Sequence, residues 1–249
     1  MSHPANWYPD PEAPQQRLRY WDGIAWTAHL APLAPVQPRW TYDARHLLGT
    51  LSLVAVGLVT ALQVLSVPLV GPAYDAFEDA ARRGDDPSLV WTAFDTVGAL
   101  MFPVLLLAWI LTAMWLVGMR RNAEAIAPGA PHRRSIGWVW GGWVCPVVSL
   151  WFPYQVVRDI IRATRPAGRL PVGWWWTAFL VFQSLSNHFN SFVTADSSPA
   201  TIHDIGSVAL GVQAVAALSA VAAAFLWFVI TRAVSRDQAA AASAVTATY

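Results

Sequence analysis

The residues best suited to chemistry lie inside apolar segments of the chain. Asp95 comes near the start of one such segment, and His188 near the end of another. Gln183, Asn187 and Asn190 follow i, i+4, i+7 spacing beside His188, which places them on one face of a helix. We expect these residues to form hydrogen bonds between helices, with Asp95 and His188 reaching the headgroup region. Ionisable side chains inside a membrane can also mark a functional site, so the alternative is a small polar cavity near the outer surface for a proton, an ion or a small ligand.

These residues do not form a metal centre or an active site. A protein-bound metal needs several ligands, and one Asp with one His cannot supply them. The motifs of metalloproteases, serine hydrolases, P-loop enzymes and dinucleotide-binding domains do not occur at a credible place. We therefore expect no catalytic residues, no metal, no other cofactor and no enzyme activity.

The elements that carry these residues are predicted membrane spans. The 249-residue chain is 55% hydrophobic and 12% charged, whereas soluble domains carry roughly 25% charged residues. A helix that crosses the hydrocarbon core needs about 20 apolar residues. Four segments qualify: Leu47–Val70, Leu89–Met119, Trp174–Val193 and Ser207–Thr231. We expect an all-α membrane bundle of four transmembrane helices.

Arginine placement predicts the topology of this bundle. All 16 basic residues are arginine, and most lie before the first span, on either side of residues 138–157, or in the tail. The loops at 71–88 and 194–206 are acidic instead. Because arginine-rich loops stay in the cytoplasm, both termini are expected inside the cell. The arginines form no compact basic domain, so no nucleic-acid partner is expected.

The segment Trp138–Val157 is long enough for a fifth span, but Pro146 and Pro153 interrupt it. If it crossed the membrane, one of its arginine-rich flanks would lie outside the cell. A re-entrant or interfacial segment keeps every arginine-rich region in the cytoplasm. We predict this arrangement, with a five-span bundle as the alternative.

Two sets of side chains are expected to contact the lipid bilayer. Tryptophans at span ends are interpreted as interfacial anchors: Trp174, Trp175, Trp176 and Trp227. Gln155–Thr164 is predicted to be an amphipathic helix in which Arg158, Arg162 and Arg165 follow i, i+4, i+7 spacing. Such a basic helix lies naturally against anionic lipid. Recognition of a specific headgroup or partner is the alternative role of these arginines.

Residues 1–29 form a predicted module that is rich in aromatic side chains. Asp-Gly between two aromatic runs predicts a β-hairpin with a two-residue turn. The aromatic side chains are expected to hold this small fold together, and binding of a Pro-rich peptide is the alternative. The residues predicted for either role are Trp7, Tyr8, Pro9, Tyr20, Trp21, Asp22, Gly23 and Trp26. Residues 30–45 are predicted to be a Pro-rich linker, 46–235 the membrane domain, and 236–249 an Ala-rich flexible tail.

The module resembles a short actinobacterial domain of unknown function that often precedes membrane segments. Its pattern is W-Y-P-D-P, then R-Y-W-D-G, then W-T and a histidine. The matching residues are Trp7, Tyr8, Pro9, Asp10, Pro11, Arg19, Tyr20, Trp21, Asp22, Gly23, Trp26, Thr27 and His29. The resemblance implies no established role.

The central run of the membrane domain resembles a second bacterial family of unknown function. That family is a multi-pass membrane domain with a Gly-Trp, Pro, Leu-Trp-x-Pro-Tyr-Gln pattern. The predicted motif residues are Gly142, Trp143, Pro146, Trp151, Pro153, Tyr154 and Gln155, and Arg121, Asn122, Leu150 and Arg158 also match. Ser149 stands where the family usually has Asn.

These features predict an integral protein of the cell membrane that acts as a scaffold or regulator. Its cytoplasmic module would recruit a protein or a Pro-rich peptide, and the lipid bilayer is its expected surrounding. The alternative is a small-molecule or ion transporter or channel subunit that uses the polar cavity near the outer face. A homo-oligomer is compatible with either function.

Overall fold

The N-terminal unit is a three-stranded antiparallel sheet. The computed structural model of the protein describes residues 3–32, 42–165, 168–186 and 192–247. It divides the chain into two compact units, residues 1–41 and 42–249. In the first unit, β1 (Asn6–Pro9) pairs with β2 (Arg17–Trp21), which pairs with β3 (Trp26–Pro32). The sequence predicted only the β2–β3 hairpin, and β3 extends into the predicted linker.

The turn between β2 and β3 has four residues rather than the predicted two. Trp21 pairs with Trp26, so residues 22–25 form the connection, in which only Gly23 has a positive φ (101°). The Asp22 carboxylate accepts hydrogen bonds from the backbone N–H groups of Ala25 and Ile24, both at 2.7 Å. These bonds hold the pKa of Asp22 below its ordinary value. The side chain therefore closes the longer turn.

One fully buried carboxylate joins the strands of the sheet. Asp10 contacts the guanidinium groups of Arg17 and Arg19, and Arg19 Nε lies 3.1 Å from Asp10 Oδ1. Burial raises the pKa of Asp10 and is the largest single effect on it. The hydrogen bond from Arg17 and the nearby positive charges together outweigh burial, so the pKa lies below its ordinary value. Charge pairing therefore supports a sheet too small to have a large apolar core.

Helices build the second unit. Their bounds are α1 (His46–Ser66), α2 (Val70–Arg83), α3 (Ala93–Ile126), α4 (Trp138–Gly141), α5 (Phe152–Thr164), α6 (Val172–Leu185) and α7 (Pro199–Ala247). α1 packs against α3 and α7, and α7 also packs along α2 and α6. Buried side chains of α3, α5, α6 and α7 form the main core, which includes Trp115, Ile160 and Trp227.

Three helices of the described residues are long and apolar enough to cross a membrane. They are His46–Arg83, which joins α1 and α2, Ala93–Ile126 and Pro199–Ala244, each with a mean hydropathy of 2.2 or 2.3. Large apolar side chains such as Leu58, Leu107 and Leu218 stand exposed on their outward faces. Such broad apolar faces fit lipid rather than water, as expected of a membrane protein.

The fourth predicted span, Trp174–Val193, extends beyond the described residues. Most of its described part belongs to α6, which begins at Val172 and has 14 residues. Trp138–Val157 is not one straight helix: α4 ends at Gly141, and α5 begins at Phe152 with Pro153 in its first turn. A proline is well tolerated in the first turn of a helix, so Pro153 fits the start of α5.

Two segments that were predicted to be irregular are helical. Most of the predicted loop 71–88 is α2, whose Tyr74 and Phe77 pack in one apolar cluster with Ile202 of α7. The predicted flexible tail continues α7 to Ala247. Alanine favours helix, and the tail is also anchored because Gln238 is fully buried. Composition alone gave no indication of that anchor.

Candidate functional site: an intramembrane cavity

Two adjoining cavities lie between the helices of the membrane unit. The large cavity, of about 530 Å³, is lined by α1, α3, α6, α7 and the chain between α4 and α5. The small cavity, of about 280 Å³, lies beside Gln63 of α1 and Gln213 of α7. Both are lined by Phe102, Leu105, Phe182 and Gln183. Small-molecule sites usually have volumes of about 300–1,000 Å³, so the pair has the size of a ligand site.

The wall of the large cavity is mostly apolar and aromatic. Trp175 of α6 stacks on Trp227 of α7, with 4.8 Å between ring centroids and 28° between ring planes. Both were predicted to be interfacial anchors, but Trp227 is only 2% exposed and Trp175 only 4%. α6 and α7 pack along each other, and both indoles lie in the core where the two helices meet. Trp174 is the exposed member of the triplet.

Two indole N–H groups beside the large cavity have no acceptor among the residues that the structure describes. The Nε1 atoms of Trp109 and Trp227 are buried, and neither donates a hydrogen bond within the described part of the chain. The nearby hydroxyl groups are already engaged: Thr112 bonds Ser52 at 2.7 Å, and Thr60 donates to a backbone carbonyl at 2.9 Å. Both indole N–H groups are therefore buried and unpaired within the described part of the chain.

Polar side chains from three helices form one wall of the small cavity. Ser186 Oγ donates to Gln63 Oε1 at 3.2 Å, and Gln213 Nε2 donates to Ser66 Oγ at 2.6 Å. Ser66 Oγ in turn donates to the backbone carbonyl of Gln63 at 2.6 Å. Gln63 is 1% exposed, yet its Nε2 has no partner among the described residues. An amide buried in this way costs free energy unless it is satisfied.

Gln63, Ser66 and Gln213 were not predicted from the sequence. The spans were recognised by their lack of charge, and uncharged amides pass that criterion unnoticed. The available signal was the rarity of glutamine inside such apolar runs. Gln63 and Ser66 also follow i, i+3 spacing, which places them on one helix face.

The predicted polar cluster is only partly described by the structure. Asp95 forms a capping box at the start of α3: Thr92 N donates to Asp95 Oδ2 at 2.8 Å, and Asp95 N donates to Thr92 Oγ1 at 3.4 Å. This contact gives Asp95 a structural role. Gln183 lines both cavities with an exposed side chain. Asn187, His188 and Asn190 lie outside the described residues.

The predicted motif residues lie in different surroundings. Trp143 lines the large cavity and packs edge-on against Phe179, at 5.7 Å between ring centroids. Gln155 accepts a hydrogen bond from Arg134 Nε at 2.8 Å. Phe152 and Pro153 are buried, whereas Trp151 and Pro146 are exposed. Gly142 marks a close approach, because a Cβ there would lie 2.6 Å from the Trp138 carbonyl oxygen.

The three arginines of α5 do not share one environment. Arg162 is exposed. The guanidinium of Arg158 lies 5.0 Å from the centroid of the Tyr154 ring, and its terminal nitrogen donates to the Tyr154 hydroxyl at 3.4 Å. Arg165 Nε lies 3.2 Å from a carboxylate oxygen of Asp237 in α7. Lipid contact by the three together stays a prediction, and Arg162 is the residue best placed for it.

A second buried polar cluster joins the C-terminal parts of α3 and α7. Asn122 Nδ2 donates to the Asp43 carbonyl at 2.9 Å and to Gln238 Oε1 at 3.0 Å, while its Oδ1 accepts from the Asp43 N–H at 3.1 Å. Gln238 Nε2 donates to the Met119 carbonyl at 2.9 Å and to Thr164 Oγ1 at 3.0 Å. These bonds connect the chain before α1 with α3, α5 and α7, which indicates a structural role.

The membrane unit matches a known family model. A model described as domain of unknown function (DUF4328) matches residues 86–236, which is more than half of the chain. The chain belongs to this family. The matched DUF4328 region holds most of the large-cavity wall, whereas Gln63 and Ser66 lie before it.

A second family model, described as protein of unknown function (DUF2510), matches residues 5–39 and includes the whole three-stranded sheet. No curated protein and no solved structure matches the chain. Neither family description names an activity.

Proposed function

We propose that the membrane domain binds a lipophilic small molecule in the large and small cavities. The observation that carries this proposal is their shared wall, where an apolar chamber meets the polar side chains around Gln63. One ligand can thus place hydrocarbon in the large cavity and a polar group in the small one. This role is closest to the small-molecule alternative from the sequence, but it requires neither a transport step nor an enzymatic one.

The bilayer is the proposed route of entry. Phe102 and Val144 line the large cavity and are 73% and 67% exposed, respectively. Apolar side chains that are exposed on a membrane-spanning bundle face lipid. A hydrophobic molecule dissolved in the bilayer can therefore reach the cavity laterally without entering water.

Native mass spectrometry of the full chain in detergent tests this proposal, with a long-chain hydrocarbon as probe. Ala224 lines the large cavity, so Ala224→Phe places a ring in it and should abolish the bound adduct. Ala222→Phe is the matched control, because Ala222 is exposed on the same helix and is not part of the cavity wall. Equal adducts in both variants would reject the cavity as the binding site.

The proposal includes a topology for the DUF4328 domain in the cell membrane of an actinobacterium. Arginine placement supports four spans, cytoplasmic termini and a re-entrant segment at 138–157. In a Cys145→Ser background, Pro128→Cys and Arg169→Cys should resist an impermeant thiol reagent applied from outside. Ala195→Cys, in an acidic loop, should react. Labelling of residue 128 or 169 from outside would contradict this topology.

A second candidate function concerns the N-terminal sheet. Ile24 at the tip of the β2–β3 turn is 89% exposed, and Trp7 and Trp26 are about 40% exposed. Exposed aromatic groups on a small sheet favour recruitment of a cytoplasmic partner that carries a Pro-rich segment. A Pro-rich peptide should slow amide exchange in residues 3–32 of the full chain, and Trp26→Ala should remove this effect. Unchanged exchange in the wild-type chain would reject recruitment by this surface.

A further inference from the structure

We propose that the membrane unit binds the phosphate groups of anionic phospholipids through Arg134 and Arg158, which lie beside the first turn of α5. This role goes beyond binding in the cavities, since neither arginine lines a cavity. It also differs from the basic helix predicted from the sequence, because Arg165 is paired with Asp237 and Arg134 belongs to the loop before α4. Unpaired charge, held guanidinium groups and an adjoining apolar surface support it.

Positive charge is in excess along residues 127–165. This stretch contains five arginines and a single acidic residue, Asp159. Asp159 is buried, and its Oδ2 accepts a hydrogen bond at 2.9 Å from a backbone N–H of the loop before α4. Within the described part of the chain, no carboxylate forms an ion pair with Arg134 or Arg158. The two guanidinium groups therefore carry charge that an external anion can balance.

Contacts within the protein hold both guanidinium groups in place. The guanidinium carbon of Arg134 lies 3.7 Å from the centroid of the Phe152 ring, and Arg134 Nε donates to Gln155 Oε1 at 2.8 Å. Arg158 lies over the Tyr154 ring and donates from Nη1 to the Tyr154 hydroxyl at 3.4 Å. Side chains that are already held in this way lose less conformational entropy when they bind a ligand.

The hydrogen-bond donors that remain on these arginines are accessible from outside. Both terminal nitrogens of Arg134 and Nη2 of Arg158 have no partner among the described residues, and none of the three is buried. Arg120 differs, because its unpartnered Nη1 is buried and its Nε pairs with Glu124 at 2.7 Å. Guanidinium N–H groups match phosphate oxygens in geometry and charge, so the accessible donors fit a phosphate.

The apolar surface that precedes α5 favours a lipid as the source of the phosphate. Val144, Val147 and Leu150 are exposed in the chain that leads into the helix, and Trp151, directly before it, is also exposed. Apolar side chains beside basic ones are typical of segments at a membrane interface, where tryptophan is also enriched. A soluble anion would leave these side chains in water, whereas a phospholipid covers them with hydrocarbon.

Native mass spectrometry of the full chain in detergent tests the proposal with two phospholipids that have the same acyl chains. One has an anionic glycerol headgroup and the other a zwitterionic choline headgroup. We expect the chain to retain the anionic lipid preferentially. Arg134→Gln and Arg158→Gln should each lower this preference roughly fivefold, since each arginine near a membrane surface contributes about 1 kcal/mol. Equal retention of the two lipids by the wild-type chain would overturn the proposal.

Arg232→Gln is the matched control. Arg232 is exposed on α7 and lies over the Phe228 ring, 5.4 Å from its centroid, so this variant removes the same charge from a similar aromatic contact. It should keep the preference for the anionic lipid. An equal loss in this variant would show that total charge attracts the lipid, and the assignment to α5 would then be wrong. Ala224→Phe, which fills the large cavity, should also keep the preference, and its loss there would place the lipid in the cavity instead.

The melting temperature of each variant separates a loss of the site from a loss of the fold. Arg134→Lys and Arg158→Lys keep the positive charge, so they should retain more of the preference than the glutamine variants. If the preference instead falls with the melting temperature in all four variants, the arginines are structural and the proposal is wrong.

Inorganic phosphate, added as a competitor, distinguishes a soluble anion from a lipid. It should leave the anionic phospholipid bound, because it cannot replace the hydrocarbon contacts beside α5. Displacement of the lipid by millimolar phosphate would assign the two arginines to a soluble phosphate compound and would overturn the proposal.

Discussion

Gln63 of α1 accepts a hydrogen bond from Ser186, the residue that follows α6, at 3.2 Å, and this bond closes one wall of the small cavity. It leaves Gln63 Nε2 buried and free among the described residues. A polar amide is rarely placed in a transmembrane helix without a use, because its burial in an apolar setting is costly. The Gln63–Ser186 contact therefore marks the polar end of the proposed ligand site.

The Asn122–Gln238 hydrogen bond should be among the most important polar contacts for stability. Asn122→Leu would leave buried backbone and amide groups unsatisfied, at a cost of about 3 kcal/mol. We expect a lower Tm in detergent and faster amide exchange in residues 236–247. Ser243→Ala changes an exposed residue on the same stretch of α7 and should shift stability by less than about 0.5 kcal/mol. Similar melting of both variants would show that the contact does not anchor the end of α7.

Gly142→Ala should disturb the chain between α4 and α5. The new Cβ would lie 2.6 Å from the Trp138 carbonyl oxygen and 3.2 Å from Phe152 Cβ. A backbone oxygen cannot rotate away, so the segment must shift, at a cost of about 1–3 kcal/mol. Thermal unfolding provides the measurement. Gly137→Ala is the control, since nothing lies within 4 Å of its added Cβ, and equal stability of the two variants would refute the close approach.

The stability of the N-terminal sheet should depend on pH through Asp10. Its folded pKa lies below the ordinary value of 3.8, so the ion pairs stabilise the sheet above that value and are lost as the pH falls through the folded pKa. Amide-exchange protection of residues 3–32, corrected for intrinsic rates, should fall in this acid range. Asp10→Asn should lower protection at neutral pH and flatten the profile.

Asp196→Asn is the control for this pH dependence, because Asp196 is exposed in the loop before α7. It should keep the wild-type profile for residues 3–32. If Asp10→Asn instead retains the acid-range loss of protection, another group controls the sheet and Asp10 is not its charged centre.

The sequence predicted the helical membrane class and the helices around Leu47–Val70, Leu89–Met119 and Ser207–Thr231, because an uncharged apolar run of about 20 residues matches the thickness of the hydrocarbon core. It could not predict which way a side chain points once helices pack. Trp175 and Trp227 lie near span ends in the sequence, but helix contact turns them into the core. A position along the chain gives depth in a membrane, not orientation.

The candidate site was predictable only in part. The sequence suggested a polar cavity because of Asp95 and the polar side chains of Gln183, Asn187 and Asn190. In the structure, Asp95 belongs to the capping box at the start of α3, and Gln183 is the member of the other set that the structure describes. Gln63 and Gln213 come from helices far apart in sequence, and only the packing of α1 against α7 brings them to one wall. Glutamines inside apolar runs mark the parts of such a site in the sequence, but only tertiary structure shows that they share one wall.

Photolabelling of the full chain in vesicles with a long-chain hydrocarbon that carries a diazirine tests the central claim most directly. The account predicts saturable labels on the cavity wall, at residues such as Leu105, Trp109 and Trp227, which Ala224→Phe removes and Ala222→Phe keeps. Labels confined to outward-facing side chains such as Leu107 and Leu218, unsaturable and equal in both variants, would show that the hydrocarbon only surrounds the protein and would contradict the account.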